Sequence, residues 1–206
     1  MMKKRLTKVF GFTAALSLLF PTLTSAYQAQ DAFFNSQGFS KTTIAAMPWW
    51  EDSTVAGLGY STILSDARAK WDAASAANVG YSKKTSADSA TLRFYVHNDA
   101  NVNYYGVFKP YDSSGTAFTD ADVENPNKSF YKGNLVIANY YIQHSPAAGG
   151  GPMNRTQTLD VAIHEIGHSL SLRHQPDSEV SVMAISKVTS YGSPQTLDYS
   201  NIDYKY

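Results

Sequence analysis

The segment from Asn154 to Leu172 leaves the fold little choice. Leu159, Val161, Ala162, Ile163, Ile166, Leu170 and Leu172 put apolar side chains around most of a helical circumference, and a helix that is apolar on nearly every side has to be buried. Its start is marked as well. Asn154-Arg155-Thr156-Gln157 has the form of a capping box, in which the first and last residues satisfy each other's backbone N–H groups. A helix is therefore expected from about Arg155, with the rest of the chain arranged around it.

The remaining elements read less sharply. From Tyr60 to Ala76 the residues Tyr60, Ile63, Leu64, Ala67, Trp71 and Ala74 recur at helical spacing, with Trp71 on the core face and a stop near Gly80. Leu92, Phe94 and Val96 alternate with Arg93 and Tyr95 as in a half-buried strand, and a shorter strand is expected from Val102 to Phe108. Tyr111 to Phe130 reads as a long loop. Leu135 to Ile142 reads as a strand that is apolar on both faces. Residues 27 to about 58 read as irregular, with the pair Trp49–Trp50 packing over a core. The tail from Ser178 has room only for a short helix near Ser200 to Tyr206. This order of elements predicts an α+β or open α/β domain.

The first 26 residues stand apart. Lys3, Lys4, Arg5 and Lys8 precede an apolar run from Val9 to Phe20 that is too short to span a bilayer, and Thr24-Ser25-Ala26 offers small residues for cleavage. This is the pattern of a secretory signal peptide, residues 1–26. Its removal takes four of the 17 basic residues and none of the 17 acidic ones, leaving a net charge of −4. The remainder is expected to be secreted, monomeric and free of stable membrane association. Without a basic excess it is not expected to bind nucleic acid. The chain has no cysteine, which excludes disulfide scaffolds, thiolate metal sites and cysteine nucleophiles.

The central helix also carries the chemistry. His164-Glu165-Ile166-Gly167-His168 sets two imidazoles four residues apart, about 40° from each other around the axis, so both project from one face at adjacent turns. That spacing suits a single zinc ion. Glu165 is rotated about 100° from His164, placing it to take a proton from a water at the metal. His174 lies six residues beyond His168, about 240° away on a continuing helix. It can join the other two only if the helix stops near Ser171 and the chain turns back.

With His174 included, the run His164-Glu165-Ile-Gly-His168-Ser-Leu-Ser171-Leu-Arg-His174 resembles the extended motif HExxHxxGxxH of the metzincin metalloproteases, in particular the matrixin-like bacterial secreted branch. The resemblance implies a zincin fold, with a twisted mixed β-sheet packed on a central active-site helix, an N-terminal helix and a short C-terminal part. It also implies a zinc ion held by His164, His168 and His174, with Glu165 as general base. Residues 27–206 are then one catalytic domain, in which 27–47 is either a short prosegment or an N-terminal arm. Ser171 stands where the family has glycine. Ser181-Val182-Met183 resembles the methionine-bearing turn below the zinc, with Ile185 where the family continues with proline. Gly133–Ile142 resembles the edge strand above the cleft, which binds an extended peptide by strand addition.

Further candidates surround this set. Asp160, one turn before His164, can orient that imidazole or simply favour the helix dipole. Asp112, Asp120, Asp122 and Glu124 can be read as a Ca2+ site or as a solvated acidic loop. His97, Asp99 and His144 are candidates for a second zinc, and Tyr191 for oxyanion stabilisation. The function expected is a secreted zinc endopeptidase acting on protein or peptide substrates. The alternatives are a non-catalytic zinc-stabilised surface binding module, or a zinc amidase acting on cell-wall peptides.

Overall fold

A computed structural model describes residues 31–73 and 77–206. The signal peptide expected at residues 1–26, the first residues of the expected prosegment or arm (27–30) and the end of the first long helix expected from the sequence, Ala74–Ala76, lie outside the described residues. In chain order the elements are α1 (Lys41–Ile44), β1 (Met47–Glu51), α2 (Ser53–Gly57), α3 (Ser61–Asp72), β2 (Tyr81–Lys83), β3 (Leu92–His97), β4 (Gly106–Tyr111), α4 (Asp120–Val123), β5 (Lys132–Ala138), α5 (Asn139–Gln143), α6 (Arg155–Ser169) and α7 (Thr196–Lys205).

The strands form one five-stranded sheet in the order β2-β1-β3-β5-β4. β1, β2, β3 and β5 run parallel, and β4 closes one edge antiparallel to β5. Register follows side-chain alternation. Trp49 lies opposite Leu92, Phe94 opposite Leu135, and Val96 opposite Ile137. These side chains are all buried on one face, while Arg93, Tyr95 and Asn134 turn to the other. Helices α3 and α6 pack against each other, and α6 also packs against β4 and β5. The fully buried Trp71 joins the two helices by donating its indole N–H to the Ile163 carbonyl at 2.9 Å. The α+β architecture expected from the order of elements is therefore the observed one.

Five local expectations are corrected. Residues 31–58 contain α1, β1 and α2, and Met47–Glu51 is an internal strand of the sheet. Trp49 points inward beneath the Arg68 guanidinium, 3.5 Å from the ring centroid, whereas Trp50 meets Tyr95 on the other face. The apolar run after Gly133 is a strand only to Ala138. Tyr140 to Ile142 then coil into α5, where Asn139 accepts a hydrogen bond from the Tyr60 hydroxyl. β5 is internal and β4 is the edge, because the antiparallel β4 pairs along the full length of β5 on its outer side. The loop between Tyr111 and Phe130 contains the short α4, held by a capping box between Thr119 and Asp122. The C-terminal helix begins at Thr196, earlier than expected, and buries Asp198, Asn201 and Ile202.

Candidate metal centre

Helix α6 starts as its sequence dictates. The Asn154 side chain accepts from Gln157 N at 2.9 Å, and the Gln157 side chain accepts from Asn154 N at 3.0 Å. Its end is equally specific. Leu172 N donates to Gly167 O at 3.0 Å and Ser171 N to His168 O at 2.9 Å, the bond pair of a helix stop built around one left-handed residue. That residue is Ser171, at φ 66°. The turn needed to bring His174 back is made without the glycine that such a turn favours.

Ser171 is fully buried, and its hydroxyl lacks a hydrogen-bond partner. Ser171→Gly should therefore stabilise the protein. Relief of left-handed strain is worth about 1–2 kcal/mol, and removal of a buried unsatisfied hydroxyl adds to it. Glycine's greater freedom in the unfolded chain takes back roughly 0.4–1 kcal/mol. The net expectation is a melting temperature higher by about 2–4 °C in thermal unfolding, and an unchanged or lower value would count against strain at this turn.

The turn brings three imidazoles together. His164 Nδ1 lies 2.8 Å from Val182 O, and His168 Nδ1 lies 2.8 Å from Leu172 O. A carbonyl oxygen can only accept, so both Nδ1 atoms carry the proton and both Nε2 atoms present a free lone pair. His174 Nε2 lies 3.1 Å from His164 Nε2, and the three residues can offer ligand atoms that all fall within 4.8 Å of one another. Two nitrogens bound to one tetrahedral zinc at 2.0–2.1 Å sit about 3.3 Å apart. The donor set thus fits a zinc ion.

Electrostatics favour the same use. Burial holds His164 down at about 4, with the neighbouring His174 acting in the same direction and the Val182 carbonyl opposing it. Burial also pushes His168 well below its ordinary value and lowers His174. All three rings are neutral at pH 7, the form that donates to a metal. Glu165 is buried beside them, and that burial pushes its carboxyl up to about 8 against the pull of the Phe108 backbone. A divalent cation at the three nitrogens would favour the carboxylate again.

Neighbouring groups fix these residues in place. Val182, whose carbonyl orients His164, is held by Asp198. This buried carboxylate accepts from Val182 N at 3.0 Å, from Gln195 N at 2.7 Å and from the Ser181 hydroxyl. Met183 is fully buried against Gly167, so closely that a Cβ on Gly167 would lie 2.5 Å from its sulfur. Gly106, at the start of β4, lets the edge strand approach Glu165. A Cβ there would lie 2.6 Å from Glu165 Cγ. Asp198 and Gly106 are not recognisable as site residues from the sequence. Glycine inside a strand does signal a close backbone approach, and that was the available clue for Gly106.

A cleft runs along β4 on both sides of the centre. One side, about 290 Å3, is lined by Tyr104, Tyr105, Gly106 and the stretch from Ala184 to Thr189. The other, about 230 Å3, is lined by Phe34, Val107, Phe108, Pro110 and Val123. Glu165 and His174 face both.

Other candidate residues are used differently. Asp160 does not hydrogen-bond His164, whose Nδ1 is taken by Val182. Instead it accepts from Thr189 Oγ1 at 2.7 Å, Tyr191 N at 2.6 Å and Gly192 N at 2.7 Å, tying down the loop that borders the cleft. Tyr191 contributes that backbone bond and is not among the cleft residues, where Tyr104 and Tyr105 stand. His97 pairs with the Tyr104 hydroxyl and His144 with Tyr140 O, while Asp99 caps Asn101. Asp112 closes its own turn onto Ser114 and Thr116, Asp122 caps α4 and pairs with Lys128, and Glu124 pairs with Arg173. Among the described residues, His164, His168 and His174 are the one group of three or more metal-ligating side chains brought together.

Comparison with known proteins agrees with this geometry. Residues 57–175 match the model of the metallo-peptidase family M12B, reprolysin-like. No curated protein matches the chain. Among solved structures, a chain of the GM1 bound form of the ECX AB5 holotoxin superposes with a TM-score of 0.54 at 15% identity, over 84% of this chain and 86% of that one. At that identity the likeness speaks for the fold alone. The family match spans more than half of the chain and includes all three histidines and Glu165, so the chain belongs to the reprolysin-like M12B metallopeptidases, enzymes that use zinc.

Proposed function

We propose that the protein is a secreted zinc endopeptidase in which His164, His168 and His174 hold the metal and Glu165 is the general base. The observation that carries this reading is the convergence of three neutral imidazoles, two of them oriented by carbonyls, beside a buried carboxyl, in a cleft open on both sides. A cleft that continues past the centre in both directions accommodates the middle of a polypeptide and not only its end.

The chain's own groups divide the work. The outward side of β4 at its start, around Gly106, offers backbone N–H and C=O groups to an extended substrate, whereas at its end Pro110 O is taken by Phe118 N and Tyr111 bridges Ala117. Zinc, when bound, polarises the substrate carbonyl and makes water a better nucleophile at neutral pH. Glu165 takes a proton from the attacking water and returns it to the leaving amine nitrogen. The Val182 and Leu172 carbonyls keep two of the imidazoles in the tautomer and orientation that donate from Nε2. Export is supported by the basic start and short apolar run of residues 1–26. Among the described residues no helix is long and apolar enough to cross a membrane.

The test is cleavage of casein and of a broad peptide library by the mature protein, with internal cleavage sites expected and activity lost to a chelator. Cleavage only of terminal residues, or of muropeptides and not proteins, would overturn the endopeptidase reading. Gly106→Ala probes the general base indirectly. The added Cβ displaces Glu165, and a misplacement of about 1 Å can cost 10²-fold in rate. A fall of about 10–100-fold in kcat is expected with metal content retained, and an unaltered kcat would show that the carboxyl tolerates displacement.

A further inference from the structure

We infer that the N-terminal arm, residues 31–38, is a positioning element of the metal centre that sets where His174 presents its ring. The inference rests on the zinc-site reading above. His164 and His168 are placed by one rigid helix. His174 follows the left-handed turn at Ser171, and its backbone needs an outside support.

The stretch from Ser171 to Gln175 receives such support on two sides. On one side it pairs with the methionine-bearing turn, through Gln175 N to Met183 O at 2.7 Å and Ile185 N to Gln175 O at 3.0 Å. On the other it pairs with the arm. Phe34 N donates to Ser171 O at 3.1 Å and Arg173 N to Ala32 O at 2.8 Å, with Phe33 opposite Leu172 in an antiparallel bridge. These bonds bracket the residues that lead into His174.

The arm is itself fastened. Ala32, Phe33 and Ser36 are buried. Ser36 N bonds Val123 O, Gln37 N bonds Lys128 O and Phe130 N bonds Gly38 O, each at 2.9 Å. Gly38 has φ 68° and approaches Ser171 so closely that a Cβ would lie 1.9 Å from the Ser171 hydroxyl oxygen. The Phe34 ring stands 5.7 Å from that of His168. A segment without helix or strand thus directs its hydrogen bonds at the turn between the second and third histidines. Loosening it would leave His174 to be ordered by the metal itself, and loss of such supports typically costs 10–100-fold in metal affinity.

The experiment measures zinc affinity of the full mature chain by competition with a chromogenic chelator, and the visible spectrum of its cobalt form. It compares wild type, Phe34→Ala and Phe34→Pro. Both variants lose the ring, but only proline loses the N–H that bonds Ser171 O. Zinc affinity is expected to be 10–100-fold weaker for Phe34→Pro than for Phe34→Ala, with an altered cobalt spectrum in the proline variant alone. Equal affinities and spectra for the two folded variants would overturn the positioning role. Should Phe34→Pro fail to fold, Gly38→Ala serves instead. It is expected to weaken zinc binding, with partial recovery when Ser171→Gly removes the side chain that the methyl group meets, the left-handed strain at position 38 remaining, and absence of weakening or of any recovery would overturn the proposal. A wild-type chain that binds no zinc would instead sink the metal-centre reading from which this inference starts.

Discussion

Glu165→Gln is expected to lower kcat by about 10²–10⁴-fold while leaving zinc content, KM and melting temperature close to those of the wild type. Glutamine has the same shape, so the buried space beside Gly106 and the histidines remains filled. What it lacks is the ability to take a proton and return it. The carboxyl is otherwise placed at some cost, since burial alone pushes it up to about 8. A group held against its solvation preference at the mouth of a cleft fits a chemical role better than a packing one. Rate measurements on a quenched peptide, paired with metal analysis of the same samples, make the check. Undiminished cleavage would remove Glu165 from the mechanism, whereas a parallel loss of zinc would make it a structural support.

His174→Ala has the second large effect, on metal binding before catalysis. The wild type should hold one zinc, and at a free concentration 1,000-fold above Kd the bound metal adds about 4 kcal/mol to folding stability. That corresponds to roughly 8–16 °C in melting temperature for a domain of this size. The variant keeps the two histidines of α6 but loses the third donor. Zinc that saturates the wild type should leave its melting temperature unmoved, and its activity should be abolished. Acid should act on the metal-free wild type in a related way. The folded His164 sits near 4 against 6.5 in the unfolded chain, so the unfolded state takes up protons first. The stability from this histidine is present above pH 6.5 and lost as pH falls towards 4. A variant that still binds one zinc tightly and melts with the same zinc-dependent shift would remove His174 from the ligand set.

Much of this centre is legible in the sequence because it is local. The capping residues Asn154 and Gln157, the helical spacing of His164 and His168 and the alternation of Leu92, Phe94 and Val96 depend on neighbours within a few positions. Backbone geometry turns such spacings directly into faces. The stop at Ser171 is implied by the position of His174 alone, although the glycine that would announce it is missing. The motif resembles that of the matrixin-like metzincins, whereas the family match is to the reprolysin-like group. The short zinc-binding motif is shared across such branches and does not by itself separate them.

The rest depends on distance along the chain. Asp160 lies at the spacing expected of a partner for His164, yet the Val182 carbonyl, 18 residues away, takes that nitrogen and leaves Asp160 to hold the 189–192 loop. Gly133–Ile142 has the composition of a cleft-side strand, but edge position is a property of the whole sheet, and only pairing with β4 makes β5 internal. The arm at residues 31–38 has no periodicity to mark it, because its bonds go to residues about 90 to 140 positions later. The sequence by itself determined which three histidines and which glutamate could form one centre, and the helix that carries three of these four groups, since a helix converts spacing into direction over a single turn. Only the tertiary structure decided which strand borders the cleft, which carbonyls orient the imidazoles and what supports the third histidine, because hydrogen bonds between distant segments are chosen by packing and leave no local pattern in the residues that make them.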